Sequence, residues 1–446
     1  MKRPMTLFER GLYLDGLMPV SSVIPVKIRG PIAEASLRHA LGRVQAKHPI
    51  LRCLVAEEAG RPWFVLQEHA PPIPLNIIER KSDNDWQEYS KAEVNQLFDA
   101  GRHPMVRLTW LRGDDVSELL LVCHHCICDG RSMVTLLNEI LQLCDQPEKE
   151  MGTEESLHAF DDLFPAEAIR NRGLQWRARL KAALFKLFIL TRRSGPARIY
   201  GEVYQLHWVV DAAIAQRLIE RCKTEGVSFF AAASVAFMLA FHAVLGPRGV
   251  DKFVAPVDAR KFLPKLRADS LFAIAPTVTL SLDKACFKKS SGTDFWGLAR
   301  AFKQDLAAKV AGMGRKVYET FFGMEHLHGW FDKIIASSRS GHGGRDVRLS
   351  YLGRLELAQD YRSFQLEAVH CLSAMLAPTP AHLIAMSSFA DRMNFSFISD
   401  QLSLPYEQAL IIKEKAMAML LACIASEILD EPAPASEPEP MRAEAI

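Results

Sequence analysis

The chain has 446 residues, about half of them apolar, and this length predicts two lobes that each bury a hydrophobic core. Because 54 basic residues stand against 52 acidic ones, the formal charge is only +2, which excludes a global field attracting nucleic acid or a membrane. Any such partner would need a local patch. Nine scattered cysteines and a start that does not resemble a signal peptide predict free thiols and a cytoplasmic protein.

The first third of the sequence alternates between strand-like and helix-like segments. Apolar runs predict strands over residues 23–28, 63–66, 105–111 and 119–125. Apolar residues at helical spacing predict one helix over residues 33–47 and another directly after Asp129-Gly130. The last two strands are joined by residues 112–115, which predict a hairpin. A mixed α/β fold follows, with a strand, a tight turn and a helix in succession.

The second half of the sequence has its own set of elements. Strands are predicted over residues 204–210, 253–257, 277–282, 347–351, 384–388 and 394–399. Asp211 and Ser228 are predicted to cap two helices, and a closing helix is predicted over about residues 405–428. The apolar stretch over residues 229–244 is interrupted by Ser234 and His242 and is shorter than the ~20 residues of a membrane span, so it predicts a buried helix.

An acidic, polar segment between residues 145 and 162 predicts a solvated connector. A Pro- and Glu-rich ending has nothing to bury, and it predicts disorder. We therefore predict an N-terminal lobe over residues 1–150, a connector over 151–199, a C-terminal lobe over 200–430 and a disordered tail over 431–446.

Two adjacent histidines stand at the end of the predicted strand over residues 119–125. Successive strand residues point to opposite faces, so we expect one of His124 and His125 to enter a cleft and the other to pack inside. We assign the cleft to His125 as catalyst, because an imidazole with an ordinary pKa near 6.5 can take a proton from a hydroxyl or an amine. The alternative is a structural histidine, which is the more common state at a strand end.

Asp129 and Gly130 follow at the turn into the helix. Asp129 has two open roles: it either orients His125 or braces the turn by pairing with a distant arginine, and we favour the brace. Gly130 suits a position that requires positive φ or a close backbone approach. A metal site is a further alternative because cysteines surround the histidines, but an extended strand would splay Cys123 and Cys126 to opposite faces, so we predict none.

The pattern His-His-x-x-x-Asp-Gly after an apolar strand resembles the signature of nonribosomal-peptide condensation domains and of stand-alone acyltransferases. Other segments resemble the same family, and together they reach from about residue 5 to about residue 425. Residues 7–10, 37–46 and 47–52 are similar to its first helix and its "rHPiLR" stretch, 256–260 to a strand end of its second lobe, and 350–354 to the "SNlGr" stretch of its alcohol acyltransferase branch.

This resemblance implies a fold of two chloramphenicol acetyltransferase-like lobes that meet in a V around a central tunnel. His125 would be the general base midway along the tunnel, with His124, Asp129 and Gly130 completing the motif. Ser350 would donate a hydrogen bond to the oxyanion of the reaction. Arg260 would form a structural ion pair with Asp129.

The resemblance also implies an acyltransferase of secondary-metabolite or lipid biosynthesis, which forms an ester or an amide. Its donor would be acyl-CoA or a phosphopantetheinyl carrier protein, its acceptor a small alcohol or amine, and no cofactor would stay bound. A single chain supplies both lobes, so we expect a monomer. We also expect it to recruit its donor from solution, since the sequence has no adenylation or carrier domain. The alternative is a non-catalytic module that binds a carrier protein.

Two segments depart from the family pattern. Residues 269–273 replace a glycine and an asparagine that the family often carries, so the tunnel wall of the second lobe is expected to differ from the family pattern at this segment. The Asp-Phe-Gly-Trp-Gly segment of the plant BAHD branch is absent, which argues against membership of that branch.

A basic, apolar segment over residues 169–193 predicts an amphipathic helix. Such a helix suits contact with an anionic membrane, an acidic carrier protein or a lipid-like substrate. The alternative is a surface helix whose apolar stripe packs on the lobes.

Overall fold

A computed structural model describes residues 1–154, 157–192, 201–246, 249–274, 276–282, 294–339, 345–374 and 381–425, and only the backbone of Arg315. The predicted tail over residues 431–446 lies outside these ranges. Within them the chain forms a mixed α/β fold, as predicted.

The strands that the structure describes include all ten predicted from the sequence. They are β1 Lys2–Pro4, β2 Ser21–Arg29, β3 Cys53–Glu58, β4 Arg61–Leu66, β5 Leu75–Glu79, β6 Val106–Arg112, β7 Val116–His124, β8 Val203–Val210, β9 Phe253–Pro256, β10 Thr277–Leu280, β11 Val347–Arg354, β12 Gln365–Val369, β13 Ser373–Ala374, β14 His382–Phe389 and β15 Arg392–Asp400.

The α-helices lie between these strands or, in the case of the last one, after them. They are α1 Leu7–Tyr13, α2 Glu34–Lys47, α3 Asp85–Asn95, α4 Gly130–Asp145, α5 Ala166–Arg170, α6 Arg172–Thr191, α7 Ala212–Thr224, α8 Phe229–Leu245, α9 Phe295–Glu325, α10 Phe331–Arg339 and α11 Tyr406–Ala422. Ser228 caps α8, since its hydroxyl accepts from the backbone N–H of Ala231. Asp211 stands at the N-cap position of α7, as predicted, but its side chain makes no capping hydrogen bond.

One six-stranded sheet is built mainly from the first part of the chain. Its order is β12-β2-β7-β6-β5, with β13 also paired to β2. The hairpin of β6 and β7 is confirmed, with Val106 opposite Cys123. Helices α2 and α4 contribute Leu37, Leu41 and Leu137 to the core of this sheet. This arrangement holds the end of β7, and with it the two histidines, against a packed interior.

A second six-stranded sheet has the order β10-β9-β11-β14-β15-β8, in which β11 runs parallel to both of its neighbours. Its core is filled by α8 and α11, and α8 is buried along most of its length, as predicted. Among the described helices, none alone combines the length and apolar character of a membrane span, although α7 and α8 do so as a pair bent by 100°.

Two strands cross the boundary that the sequence predicts between the lobes. β12 and β13 come from the second half of the chain, yet both pair antiparallel with β2 of the first sheet. The main chain of residues 365–374 therefore ties the two halves together.

Helix α1 is fixed by a buried ion pair at its start. Thr6 and Glu9 form a reciprocal capping box, and Arg3 donates two hydrogen bonds of 2.7 Å to the Glu9 carboxylate. Both charged groups are buried, so separating them would cost free energy. The ion pair therefore holds the helix in one position. That position places α1 beside the end of β7.

Candidate active site

The strand β7 delivers His125 to the turn before α4. The backbone N–H of His125 donates to the carbonyl of Val20 at 2.8 Å, and the side-chain Nδ1 lies 2.8 Å from the carbonyl oxygen of Cys128. A carbonyl only accepts hydrogen bonds, so Nδ1 carries the ring hydrogen and Nε2 has a free lone pair. The turn thus fixes both the orientation and the tautomer of the ring.

The surroundings of His125 keep its ring neutral. Burial is the largest influence and lowers the pKa of His125 below its ordinary value of 6.5, and the nearby cation of Arg348 acts in the same direction. The hydrogen bond to Cys128 and the carboxylate of Asp129 oppose this shift without reversing it. At neutral pH the imidazole is therefore in the form that can accept a proton.

His124 lies on the other side of the strand end, in the interior. Its Nδ1 accepts a hydrogen bond of 3.2 Å from the backbone N–H of Cys126, and its ring packs between those of Tyr13 and Phe98. Burial lowers the pKa of His124 to about 3. His124 is not among the residues that line the neighbouring cavity, so the two histidines have separate positions.

The structure brings Arg260 onto Asp129. The guanidinium donates to both carboxylate oxygens, at 2.6 Å from Nη1 and 3.1 Å from Nη2, and each side chain is only 8% exposed. Asp129 also caps α4 by accepting from the backbone N–H of Ser132 at 2.8 Å. In this geometry Asp129 braces the turn, and it makes no hydrogen bond to His125 among the described contacts.

Ser132 and Phe272 extend the brace into the second half of the chain. The Ser132 hydroxyl lies 2.7 Å from Nη2 of Arg260 and 3.0 Å from the backbone N–H of Phe272. The carbonyl of Phe272 accepts in turn from the backbone N–H of Asp129 at 3.0 Å. The family resemblance pointed to Arg260, but the sequence had no signal for Ser132, whose role depends on this distant contact.

Gly130 meets the second sheet at close range. A Cβ atom at this position would lie 2.7 Å from Cδ2 of Leu352 on β11, and Gly130 is not among the glycines with positive φ. Of the two reasons considered for a glycine here, the structure supports close approach. The first turn of α4 can therefore pack directly against β11.

A cavity of about 380 Å³ lies at this junction. His125, Asp129 and Gly130 form one wall of it, while α1 and α9 contribute apolar side chains such as Leu12 and Met324. The facing wall comes from β9, β10 and β11 of the second sheet. The cavity therefore joins the motif to both halves of the chain.

Ser350 lies on the β11 wall of this cavity, together with Arg348 and Leu352. Arg348, Ser350 and Leu352 are alternate residues of the strand and so share a face, and Tyr351 between them also lines the cavity. No partner for the Ser350 hydroxyl is found among the described contacts. Sequence reasoning missed Arg348, although the alternation of Val347, Arg348, Leu349 and Ser350 is typical of a strand with one polar face.

A second cavity of about 590 Å³ lies on the other side of the α4 and β11 contact. Its wall is more polar and includes Asn138, Glu139 and Glu150. The two cavities have four wall residues in common, namely Arg131, Asp258, Tyr351 and Leu352. The motif thus stands next to the place where two cavities adjoin.

The cysteines around the histidines are buried thiols. Burial raises the pKa of Cys126 well above its ordinary value, and a hydrogen bond with Cys123 raises that of Cys128. Across the described ranges, no group of three or more His, Cys, Asp or Glu residues is arranged to hold a metal ion.

A protein-family model described as a condensation domain matches residues 21–247, just over half of the chain. The chain belongs to the condensation-domain family. This condensation-domain chain is 25% identical over 245 residues to nonribosomal peptide synthetase kk1B from Curvularia clavata, an alignment that covers 50% of the chain and 2% of the synthetase. It therefore spans a small fraction of the length of that relative.

Solved structures match the condensation-domain chain along almost its whole length. TRI3 trichothecene 15-O-acetyltransferase from Fusarium sporotrichioides superposes with a TM-score of 0.71 at 12% identity, covering 95% of each chain. Polyketide synthase associated protein 5 from Mycobacterium tuberculosis gives 0.64 at 14% identity, covering 95% of this chain and 98% of that one. At such identities the likeness shows the fold, which is that of condensation domains and chloramphenicol acetyltransferase-like enzymes.

Proposed function

We propose that this protein is an acyltransferase that moves an acyl group from a thioester to a hydroxyl or an amine, with His125 as the general base. The observation that carries the proposal is the hydrogen bond that His125 Nδ1 donates to the Cys128 carbonyl. His125 also lines the cavity. It leaves Nε2 as the proton acceptor. Membership of the condensation-domain family and the fold of an acetyltransferase support the same reaction class.

The proposed reaction has two steps. His125 Nε2 takes the proton of the acceptor as its oxygen or nitrogen attacks the thioester carbonyl, which gives a tetrahedral oxyanion. The Ser350 hydroxyl, which has no other partner among the described contacts, donates to that oxyanion, and the nearby positive charge of Arg348 favours it. Collapse of the intermediate breaks the C–S bond, and the leaving thiolate takes the proton from the imidazolium.

The adjoining cavities support separate entry for the two substrates. We propose that the acyl thioester of CoA or of a phosphopantetheinyl carrier protein enters from one side and the acceptor from the other, along a tunnel between an N-terminal and a C-terminal lobe. A hydroxyl acceptor is favoured by the resemblance of residues 350–354 to alcohol acyltransferases. The protein would act as a cytoplasmic monomer in secondary-metabolite or lipid biosynthesis, without a bound cofactor.

The first test is thiol release from a panel of acyl-CoA and acyl-carrier donors, each mixed with alcohols and amines. We expect acceptor-dependent release by the intact protein and a loss of about 100-fold or more in His125→Ala, which removes the base. His69→Ala is the matched control, because that histidine is exposed and does not line the cavity. Equal activity of His125→Ala and the intact protein would rule out His125 as the base.

The pH profile gives a second readout of the same group. Since the base must be unprotonated, the rate should fall only at pH values below the lowered pKa of His125, which lies under 6.5. If the intact protein releases no thiol from any donor but still binds carrier proteins, the chain is instead a non-catalytic carrier-binding module.

A further inference from the structure

Helix α6 packs on the body of the protein through its small residues. Ala178 and Ala182 are buried, and the backbone of Gly323 on α9 approaches so closely that a Cβ there would lie 3.2 Å from the Ala178 carbonyl. Ala182 joins a cluster that includes Leu7 and Leu327. Ile189 is also buried and Leu174 packs on a neighbouring cluster, so the contact face of the helix takes up only two of its large apolar side chains in this way.

A larger set of apolar side chains lies on the opposite face, in solvent. Trp176 is 64% exposed, Leu184 58% and Leu187 59%. With Leu180 they follow helical spacing and form one continuous stripe, since residues three and four apart are neighbours on a helix. The stripe has the reverse of the usual arrangement, in which a surface helix turns its apolar side chains inward.

Basic side chains border the stripe on both sides. Arg172, Arg179 and Lys186 lie along one edge and Arg177 and Lys181 along the other, as their helical positions require. The helix has no acidic residue of its own. Glu319 of α9 pairs with Arg177 and Lys181, so the edge formed by Arg172, Arg179 and Lys186 carries the least compensated charge.

We propose that α6 is an interfacial helix that holds the protein on an anionic lipid surface. An exposed tryptophan and leucine stripe between two rows of cations is the arrangement that inserts into the headgroup region of a bilayer while its charges meet anionic lipids. The 20-residue helix packs against α9, and an interfacial helix does not have to cross the bilayer. The cations of α6 are complementary to anionic lipids, whereas two copies of this basic helix would repel each other.

Helix α6 also lies near the cavity beside His125. The cluster that holds Ala182 also packs against Leu12 and Met324, which line the cavity beside His125. One hydrophobic cluster thus includes a residue of α6 and packs against residues of the apolar cavity wall. The binding proposal itself does not depend on the reaction proposed for that cavity.

The test is co-sedimentation of the full chain with vesicles of phosphatidylcholine alone or mixed with phosphatidylglycerol. We expect binding to the mixed vesicles only, weakened by added salt. Arg172→Gln with Arg179→Gln should reduce it roughly fivefold for each charge removed. Trp176→Ser with Leu184→Ser should abolish it, and brominated lipid should quench the tryptophan fluorescence of the intact protein more than that of Trp176→Phe.

Matched controls lie elsewhere on the surface. Leu402→Ser removes an equally exposed leucine and Arg102→Gln an exposed cation, and neither should change vesicle binding. Equal binding to neutral vesicles, or binding that survives the Trp176 and Leu184 changes, would overturn the proposal. So would a dimer in solution that needs the stripe, or capture of acidic carrier protein by α6 without vesicle binding. Thiol release from soluble substrates should persist in every α6 variant, which separates this result from the test of His125.

Discussion

The turn after β7 and the outer face of α6 handle charge and apolar surface in opposite ways. At the turn, the carboxylate and the guanidinium of Asp129 and Arg260 are buried and joined by two hydrogen bonds. On α6, cations and large apolar side chains both remain in solvent. An unpaired buried charge costs free energy, so the ion pair holds the turn in one conformation. An exposed apolar stripe is instead typical of a surface that binds a partner. The turn after β7 thus fixes the position of His125, whereas the outer face of α6 offers a surface for binding.

The largest effect on stability should come from breaking the ion pair at the turn. Asp129→Ala leaves the buried Arg260 cation with the more exposed Asp258 as its remaining carboxylate partner, and we expect a loss of about 3 kcal/mol in the free energy of unfolding. Denaturant unfolding measures this. Asp129→Ala combined with Arg260→Met should recover most of the loss, because no buried charge remains. A double variant as unstable as the single one would contradict the assignment.

A second effect depends on pH. The pKa of His124 is about 3 in the folded protein and near 6.5 when unfolded, so below pH 6.5 the unfolded chain binds a proton that the folded protein does not. Folding should lose about 2 kcal/mol from this group between pH 7 and pH 5. His124→Asn keeps an acceptor for Cys126 and should show a shallower loss of stability over this range. An unchanged slope would mean that His124 titrates normally.

Gly130→Ala should have a moderate effect, since its new methyl group must displace Leu352. We expect a cost of about 1 to 2 kcal/mol, together with slower thiol release because the displaced turn carries His125. Adding Leu352→Ala should restore the release rate in part. If Gly130→Ala alone matches the intact protein in both measurements, the close approach is not a constraint.

The smallest effect belongs to α6. Leu184→Gln should change the free energy of unfolding by no more than about 0.5 kcal/mol, because the Leu184 side chain is exposed and lies outside the core. Thermal unfolding without vesicles measures this. A large destabilisation would mean that the stripe is covered within the protein, and the contrast between the two regions would fail.

Local patterns predicted most elements of the two sheets, because their strands are apolar runs bounded by turn residues. They did not predict α9, where four glycines lower the helix propensity, namely Gly297, Gly312, Gly314 and Gly323. Two of these glycines make room for neighbours, Gly314 for Phe262 and Gly323 for α6. Tertiary packing thus stabilises a helix that the local sequence does not favour. β12 and β13 were missed because they are short and take their partner from a distant part of the chain.

The candidate site divides in the same way. The motif placed His125, Asp129 and Gly130 in one turn, and the resemblance supplied Arg260 and Ser350 as residues near them. The cavity wall formed by α1 and the contact of Ser132 with Phe272 depend on how distant segments meet. No periodicity within one segment carries that information.

The pairing of β12 and β13 with β2 also has a consequence for biosynthesis. The first sheet has to wait for residues 365–374 to leave the ribosome before it is complete, although its other strands lie within the first 124 residues. Until then β2 presents a free hydrogen-bonding edge, the feature by which nascent chains aggregate. A fragment cut at residue 247, where the family match ends, would keep that edge permanently and should need a chaperone or a solubilising partner to stay monomeric.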